Sequence, residues 1–403
     1  MTPEEALLAP RAVATLRAAL LGLALCAFAR LTAYAWRPLF DRVFVSTSVV
    51  RFVPYDSSAV GSDVVCVDCT HRDLPTLTHH KDGGTPVRLR GDTSTDTVFN
   101  ALRAGWRPLK IANAVTCNHF DIDGLVSAWA LIEPLKALEH EDVLRETARI
   151  GDFRELRVTR GGGDDDGDGA EGERGDGDAF GMWSETTAAL RLCAWINSVE
   201  RTLFTRPFEG NEHRESARKY AHFLPLVADA LNAVEPRAGS TADADDAAAE
   251  RSGLRLGDAE VARVLDGVTR LYGTGSEGNP RETWDHLGVC VVRCESPVHY
   301  YALFSLATDA DVVVSIYSGG RYEVECKYTG FVDYRSRATW PRVNLRPLAN
   351  GLNASDASAT VELDKVMILG DIEASVGLDA FNRRVRESLR AEFRRIATSL
   401  GLR

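Results

Sequence analysis

The chain has 403 residues, 45% of them apolar, and a formal net charge of −11 at pH 7. This length exceeds that of a usual single domain, so we expect two domains with sizeable cores. The acidic balance counts against a protein that binds nucleic acid mainly by covering its phosphates with basic side chains, although a local basic cleft is compatible with it.

Residues 1–48 are predicted to be an N-terminal extension. An apolar stretch at 18–28 is flanked by Arg17 and Arg30. It is shorter than the ~20 residues that a bilayer-spanning helix needs, so we do not expect a membrane anchor. The arginines and the scarcity of acidic groups suit an organelle import segment, and a helix packed on the domain explains the same residues. Both interpretations stay open.

Residues 49–236 are predicted to form an α/β domain. Short β-type runs alternate with helical ones between residues 51 and 153, which predicts parallel strands joined by crossover helices. We predict strands at 63–67 and 111–117. Helices are predicted at 98–104, after the polar capping run 92–95, at 125–138 and over 182–234. The expected architecture is a parallel sheet with helices on both faces.

Two later stretches contain too few apolar residues to form a core. The acidic run 160–179 is predicted to be a disordered insertion, and the Ala/Asp/Ser-rich run 237–253 a flexible linker. After it, β-type runs at 287–292, 311–317 and 322–334 precede a charged amphipathic helix at 378–399. This change of pattern predicts a second, smaller α/β or α+β domain at 254–403.

The eight cysteines have no dense regular spacing, as in reduced intracellular proteins rather than disulfide scaffolds. Cys66 and Cys69 alone have a spacing typical of metal ligands. They fall in a predicted strand, where residues three apart face opposite sides, so we do not expect them to share a zinc ion.

A group of polar residues follows the predicted strand 111–117. His119, Asp121 and Asp123 come directly after it, and Gly124 permits a tight turn into the next helix. In open parallel sheets, ligands bind beyond the carboxyl ends of the strands. Carboxylates combined with imidazole favour manganese, magnesium or iron over a thiolate-bound zinc.

Further candidate ligands follow other predicted strands. Asp68 follows 64–67, His79 and His80 follow 75–78, and Asp152 follows 148–151, which we also interpret as a strand. Two hard cations held ~3.5–4 Å apart by such groups can activate water and stabilise an in-line displacement at phosphorus. The alternative interpretation is that each residue is a helix cap, a turn residue or surface decoration.

These residues resemble the motifs of the DHH phosphoesterase superfamily, which includes RecJ-like exonucleases, manganese pyrophosphatases and small-oligonucleotide phosphodiesterases. The run 118–127, NHFDIDGLVS, is similar to its first motif and 65–68 to its second. The run 78–80 is similar to its Asp-His-His motif with Thr78 in place of aspartate, and 150–152 to its fourth. Because the segments at 68 and 79–80 precede 118–127, the resemblance implies a circularly permuted order of strands.

A closer resemblance joins RFVPYD at 51–56, NHFDIDG at 118–124 and the run 322–348. Together these resemble an uncharacterised, mainly bacterial family with no known activity. The mechanism therefore rests on the superfamily comparison alone.

The superfamily resemblance implies a metal-dependent phosphoesterase that hydrolyses a small phosphorylated compound or a short oligonucleotide. From the cysteine pattern we expect an intracellular, soluble protein, with organelle import as an open alternative. It implies two manganese ions, with magnesium as the alternative, and no extensive nucleic-acid surface. The implied metal ligands are Asp68, His80, His119, Asp121, Asp123 and Asp152, and the implied catalytic residues are His79 and His80. The implied substrate-binding residues are Ser94, Arg321, Arg335, Arg337 and Arg342. Thr78 motivates the alternative, a non-catalytic binding or regulatory protein of the same fold.

Overall fold

The computed structural model describes residues 50–58, 60–160, 180–204, 212–236, 239–272, 281–284, 288–327, 332–337, 356–359, 366–371 and 377–399. The N-terminal extension, Arg342 and all but the first residue of the predicted insertion 160–179 lie outside these residues. Ser48–Arg403 forms one compact unit. The division of this unit into two domains near residue 254 stays a prediction.

The first sheet has four parallel strands, as the sequence predicts. The strands are β1 (Arg51–Phe52), β2 (Val64–Val67), β3 (Thr76–Leu77) and β4 (Ala114–Thr116). They lie side by side in the order β1-β4-β2-β3, and every neighbouring pair is parallel. All four residues of β2 are buried, which is expected for a central parallel strand covered on both faces.

Four helices of the first half pack with this sheet and with one another. They are α1 (Ser94–Arg103), α2 (Ile122–Ile132), α3 (Pro134–Glu139) and α4 (Glu141–Phe153). Helix α1 begins at a capping box, in which the Thr93 hydroxyl accepts from the Asp96 backbone N–H and the Asp96 carboxylate accepts from the Thr93 N–H. Asp121 caps α2 by accepting from the Gly124 N–H at 2.8 Å.

A short antiparallel pair and more helices follow. The pair is β5 (Val158–Arg160) with β6 (Phe180–Met182), and the helices are α5 (Ser184–Leu203), α6 (Glu212–Phe223), α7 (Val227–Val234), α8 (Ala242–Ser252) and α9 (Asp258–Tyr272). Helix α8 corrects the prediction of a flexible linker at 237–253. Thr241 caps it, Gly253 ends it, and the small side chains of Ala248 and Ala249 are buried. Alanine favours helix formation even where large apolar residues are few.

The second sheet is mixed and has six strands. They are β7 (Arg281–Trp284), β8 (Val289–Cys294), β9 (Val312–Tyr317), β10 (Arg321–Cys326), β11 (Asp356–Ala359) and β12 (Val366–Asp371). Their order is β11-β12-β10-β9-β8-β7, and only β8 and β9 are parallel. Helix α10 (Tyr300–Leu306) connects β8 to β9, and α11 (Gly377–Ser399) follows the sheet.

The second half of the chain reaches the edge of the first sheet through the segment 332–337. Val332 forms an isolated antiparallel bridge with His80, and the Asp333 N–H donates to the His79 carbonyl at 2.8 Å. The backbone N–H groups of Arg335 and Ser336 both donate to Asp92 Oδ1. The segment 332–337 therefore lies beside the residues that follow β3.

Among the described residues, no helix is both long and apolar enough to cross a membrane.

Candidate metal centre

Three loops at one edge of the first sheet bring together most of the predicted ligands. Asp68 directly follows β2, His79 comes two residues after β3, and His119 comes three residues after β4. Because these strands are parallel, their carboxyl ends meet at the same edge of the sheet. The structure thus gathers residues that lie up to 51 positions apart in the sequence.

Asp68 lies at the centre of this group, and its two carboxylate oxygens face different histidines. Oδ1 is 3.6 Å from the Nε2 atoms of His79 and His80, whereas Oδ2 is 3.4 Å from Nε2 of His119. Ser94 Oγ donates to Oδ1 at 2.6 Å, and Oδ2 has no hydrogen-bond partner among the described residues. A buried carboxylate in this position can bridge two cations.

Two further carboxylates surround His79. Its Nε2 lies 3.7 Å from Asp123 Oδ2 and 3.4 Å from Asp152 Oδ2. Its Nδ1 is 2.7 Å from the Asp92 carbonyl, which can only accept, so Nδ1 carries the proton and the Nε2 lone pair faces the carboxylates. This is the tautomer that a histidine adopts as a metal ligand. The sequence favoured His80 as the ligand, but the carboxylates converge on His79.

His119 forms the other side of the group with Asp121. Nε2 of His119 is 3.1 Å from Asp121 Oδ2, and Nδ1 is 2.8 Å from Asn118 Oδ1. Donation by Nδ1 to this amide oxygen again leaves Nε2 directed at the carboxylates of Asp121 and Asp68. The run Asn-His-x-Asp therefore supplies a ligand, its orienting partner and a second ligand together.

The amino end of α1 fixes the orientation of Asp123. Its Oδ2 accepts from the Ser94 N–H at 2.7 Å, and its Oδ1 accepts from the Thr95 N–H at 2.8 Å. The first N–H groups of a helix have no partner within the helix and favour an anion. Ser94, predicted to bind substrate, is used here to hold Asp123 and Asp68.

Asp152 reaches the group from a helix, which corrects the prediction that it follows a strand. It lies in the last turn of α4, whose apolar residues Val143, Leu144 and Ile150 follow helical spacing. A Cβ on the preceding Gly151 would lie 2.7 Å from Cβ of Ile122, so glycine allows α4 to approach α2 closely. The run 148–151, Ala-Arg-Ile-Gly, is short and includes the charged Arg149, so its pattern does not separate a strand from a helix.

Gly124 leaves space for a hydroxyl group that the sequence did not indicate. A Cβ at Gly124 would lie 2.6 Å from the Tyr220 hydroxyl, 3.1 Å from Asp68 Oδ2 and 3.2 Å from Asp121 Oδ1. Tyr220 is fully buried, stacks on Phe52 at 4.2 Å, and its hydroxyl has no hydrogen-bond partner among the described residues. No fixed spacing links Tyr220, on α6, to the motif at 118–124, so sequence patterns could not reveal it.

The carboxylates are poorly compensated by the protein itself. Among the described residues, no lysine or arginine nitrogen lies within 4.0 Å of Asp68, Asp121, Asp123 or Asp152. Burial, followed by the charges of Asp121 and Asp123, raises the pKa of Asp68 well above its ordinary range. Burial and then Asp123 do the same to the pKa of Asp152. Like charges enclosed away from water favour the binding of a cation.

Other ionisable groups in this site have pKa values that are shifted in both directions. Burial also raises the pKa of Asp123. For Asp121, burial opposes ionisation, but the charge and hydrogen bond of His119 outweigh it and lower the pKa. Burial, with the charges of His79 and His119, lowers the pKa of His80 to about 3, so this ring is neutral at pH 7.

We call the group of Asp68, His79, His80, His119, Asp121, Asp123 and Asp152 the metal cluster. Of the predicted arginines, the three that the structure describes pair elsewhere. Arg337 donates to both carboxylate oxygens of Glu155, and Arg321 Nη2 is 3.5 Å from Glu323 Oε1. Arg335 Nη1 donates to the Val87 carbonyl at 3.3 Å. Substrate binding by Arg321, Arg335 and Arg337 stays a prediction, and Arg342 lies outside the described residues.

The structure also changes the interpretation of Cys66 and Cys69. Their sulfur atoms are 2.6 Å apart and both residues are buried free cysteines. The strand ends at Val67, and Asp68 has a φ of 49°, which turns the chain back so that Cys69 meets Cys66. The expectation that these side chains face opposite sides was wrong because it extended the strand through Asp68, a residue type that tolerates left-handed backbone.

Comparison with known proteins gives a family but no activity. A search of curated proteins finds no match to this chain, and a search of solved structures finds none. Residues 48–372 match the profile of a family of unknown function, DUF6687, and this range includes the whole metal cluster. Because the match covers most of the sequence, the chain belongs to this family, DUF6687.

Proposed function

We propose that this chain is a divalent-metal-dependent phosphoesterase that hydrolyses a small phosphorylated compound or a short oligonucleotide. The observation that carries the proposal is the position of Asp68 between two ligand groups. Its Oδ1 faces His79 at 3.6 Å, and its Oδ2 faces His119 at 3.4 Å. This arrangement supports a DHH-type centre with a bridging carboxylate, consistent with the motifs in the sequence.

The donor set fits hard divalent cations. Around His79 the donor atoms are one imidazole nitrogen and carboxylate oxygens of Asp68, Asp123 and Asp152, all 3.4–3.7 Å from that nitrogen. Adjacent octahedral ligands with bonds of ~2.0–2.2 Å lie ~3 Å apart, so a bound cation would draw these groups together by about 0.5 Å. The buried Oδ2 atoms of Asp68 and Asp152 make no hydrogen bond among the described residues. Carboxylates with imidazole favour manganese or magnesium, and we expect two manganese ions.

The two halves of the cluster have distinct tasks in this proposal. Asp123, Asp152 and His79 would hold one cation, His119 and Asp121 would hold the other, and Asp68 would contribute to both. When bound, two such ions supply Lewis-acid stabilisation of phosphoryl charge and activate water for in-line displacement. The α1 backbone N–H groups and the Asp92 carbonyl keep Asp123 and His79 oriented, which reduces reorganisation during the reaction.

His80 is the residue best placed to contact substrate in this cluster. Its side chain is 27% exposed, against 3% for His79, so it lies at the open side. Its low pKa makes it a neutral ring that can donate a hydrogen bond to a phosphoryl oxygen. We expect hydrolysis in a reducing intracellular compartment, in line with the buried free cysteines.

Metal content and hydrolysis together test the proposal. Purified protein is dialysed with manganese, washed, and analysed by inductively coupled plasma mass spectrometry beside Asp68→Asn, Asp121→Ala and the control Asp246→Asn. Asp246 is exposed and pairs with Arg255, outside the cluster. We expect about two manganese ions per chain for the wild type and the control. Asp68→Asn should retain none, because it removes the residue common to both ligand groups.

The same four proteins are assayed with dinucleotides, nucleoside bisphosphates, pyrophosphate and an aryl phosphodiester. Hydrolysis by the wild type and Asp246→Asn, and its loss in Asp121→Ala, is the expected result. A wild type that retains no divalent metal would overturn the proposal. Metal retention without hydrolysis of any substrate would support the second candidate, a non-catalytic binding protein. Thr78, whose Oγ accepts from the His80 N–H at 3.1 Å, motivates that candidate because it stands where the superfamily has aspartate.

A further inference from the structure

We infer that the chain binds a second, phosphate-bearing anion in an arginine-lined cavity that shares no residue with the metal cluster. The cavity has a volume of about 410 Å³ and is lined by Arg201, Arg263, Asp266, Arg270, Pro297 and His299. This volume falls within the range of ~300–1,000 Å³ that small-molecule sites occupy. Helices α5 and α9 and the loop between β8 and α10 supply the lining.

A buried carboxylate holds two of the arginines in place. Glu260, on α9, is fully buried, and its Oε2 pairs with Arg201 Nη2 and lies 4.0 Å from Arg263 Nη2. Arg201 Nη2 also donates to Ser198 Oγ at 3.1 Å. Glu260 does not line the cavity itself, but its contact with Arg201 restricts the orientation of that guanidinium group before any ligand arrives, which reduces the entropy lost on binding.

Arg270 is fixed independently at the opposite end of the same helix face. Its Nη1 donates to Ser296 Oγ at 2.6 Å, its Nη2 to the Pro297 carbonyl at 3.2 Å, and its Nε pairs with Asp266 at 3.0 Å. An arginine has five N–H donors. Among the described residues these contacts leave N–H groups of Arg270 and most of those of Arg201 and Arg263 without a partner.

The cavity has an excess of positive charge in an acidic protein. Three arginines and one carboxylate, Asp266, line the cavity, and Glu260 pairs with Arg201 outside the lining, whereas the whole chain has a net charge of −11. The nearby ring of His299 reports the same field. Burial, and then the charges of Arg263, Arg201 and Arg154, lower its pKa to about 3, although Glu260 lies only 3.5 Å from its Nε2. The local potential therefore favours an anion.

The chemistry of the lining selects a phosphate group. Guanidinium groups bind phosphate oxygens with paired hydrogen bonds, and three of them can surround a group with three terminal oxygens. A carboxylate offers only two oxygens and less charge. The ligand is therefore inorganic phosphate or the phosphate end of a small monoester, and binding assays distinguish these two sources.

Titration calorimetry on the metal-free protein tests this inference, because in chelator the metal cluster offers no cation to a phosphate. The probes are inorganic phosphate, adenosine monophosphate and, for comparison, acetate. The variants are Arg263→Gln and Arg270→Gln, with Arg255→Gln as the matched control, since Arg255 is an exposed arginine outside the cavity that pairs with Asp246.

We expect wild type and Arg255→Gln to bind phosphate with a Kd of about 1 mM or lower, and the cavity variants to bind about tenfold more weakly. Tighter binding of adenosine monophosphate would identify a monoester as the ligand, and tighter binding of inorganic phosphate would identify the free ion. No binding by the wild type, equal binding of acetate, or equal loss in Arg255→Gln would overturn the inference. Because the protein is metal-free, these outcomes are independent of the proposed hydrolase activity.

Discussion

Buried carboxylates in this protein differ in whether basic side chains pair with them. Glu155 pairs with Lys327 Nζ at 2.8 Å and with Arg337 at 2.8 Å, and these cations outweigh burial and lower its pKa. In the metal cluster, Asp68 and Asp152 have raised pKa values and no lysine or arginine partner among the described residues. A buried carboxylate compensated by side chains stabilises the fold, whereas an uncompensated group retains a repulsion that a cation from solution would relieve.

The largest expected effect is a loss of folding stability when a cation that pairs with Glu155 is removed. Lys327→Met should destabilise the protein by about 3 kcal/mol, because it leaves Glu155 with one fewer cation in a buried position. Urea unfolding at pH 7 measures this. The control is Lys136→Met, whose lysine forms a half-exposed pair with Glu133, and it should change stability by less than about 0.5 kcal/mol. Equal effects of the two substitutions would contradict the comparison.

The next effect concerns the metal cluster and the Tyr220 hydroxyl. Tyr220→Phe keeps the ring stacked on Phe52 but removes the hydroxyl beside Asp68 Oδ2. The hydroxyl makes no hydrogen bond with any described residue, so it is available to orient the cluster once a cation binds, and we expect about tenfold weaker manganese binding without it. Titration calorimetry with manganese is the measurement. Tyr55→Phe is the control, because its hydroxyl donates to the Thr70 carbonyl. Unchanged affinity in Tyr220→Phe would show that the hydroxyl does not support the ligands.

Asp68→Asn should increase the stability of the metal-free protein, and this effect should be smaller than the loss of stability in Lys327→Met. Asparagine can still accept from Ser94 Oγ, while the repulsion with Asp121 and Asp123 disappears. The metal-free variant should therefore be more stable than the wild type by about 1 kcal/mol in urea at pH 7. With manganese added, only the wild type should gain stability. A less stable metal-free variant would show that Asp68 is compensated by the protein itself.

The smallest effects are the pH dependences of these differences. The folded pKa of Glu155 lies below its ordinary value of 4.5, so its stabilisation is present above that value and is lost as the pH falls through the folded pKa. The cost of Lys327→Met should therefore shrink on acidification. The folded pKa of Asp68 is raised, so its destabilisation appears as the pH rises through that value. The extra stability of metal-free Asp68→Asn over the wild type should also decrease as the pH falls. Unfolding curves recorded across the pH range measure both changes.

The sequence predicts the parallel sheet because its strands are short, apolar and followed by helical periodicity. Runs such as 63–67 and 111–117 contain the observed β2 and β4. Asp152 was placed after a strand because the four residues before it, Ala-Arg-Ile-Gly, are too few to separate strand from helix periodicity. Helix α8 was missed because its packing uses small alanine side chains, which add little to hydrophobic periodicity.

Asp68, His79 and His119 could be predicted to meet because they follow neighbouring parallel strands, whose carboxyl ends lie at one edge of the sheet. The orienting groups could not be predicted in the same way. The Asp92 carbonyl and the α1 backbone N–H groups are backbone groups, so the residue types in the sequence do not reveal their roles. Tyr220 and the pairing of Arg337 with Glu155 depend on contacts between segments far apart in the chain, which local spacing does not encode.

The order of the ligands along the chain has a consequence for biosynthesis. All seven side chains of the metal cluster lie between residues 68 and 152, whereas the chain continues to residue 403. Because proteins are made from the amino end, a nascent chain leaving the ribosome carries every ligand before the first strand of the second sheet is translated. The segment 332–337 arrives much later and then pairs with His79 and His80. Residues 68–152 could thus bind a cation before the second sheet is synthesised.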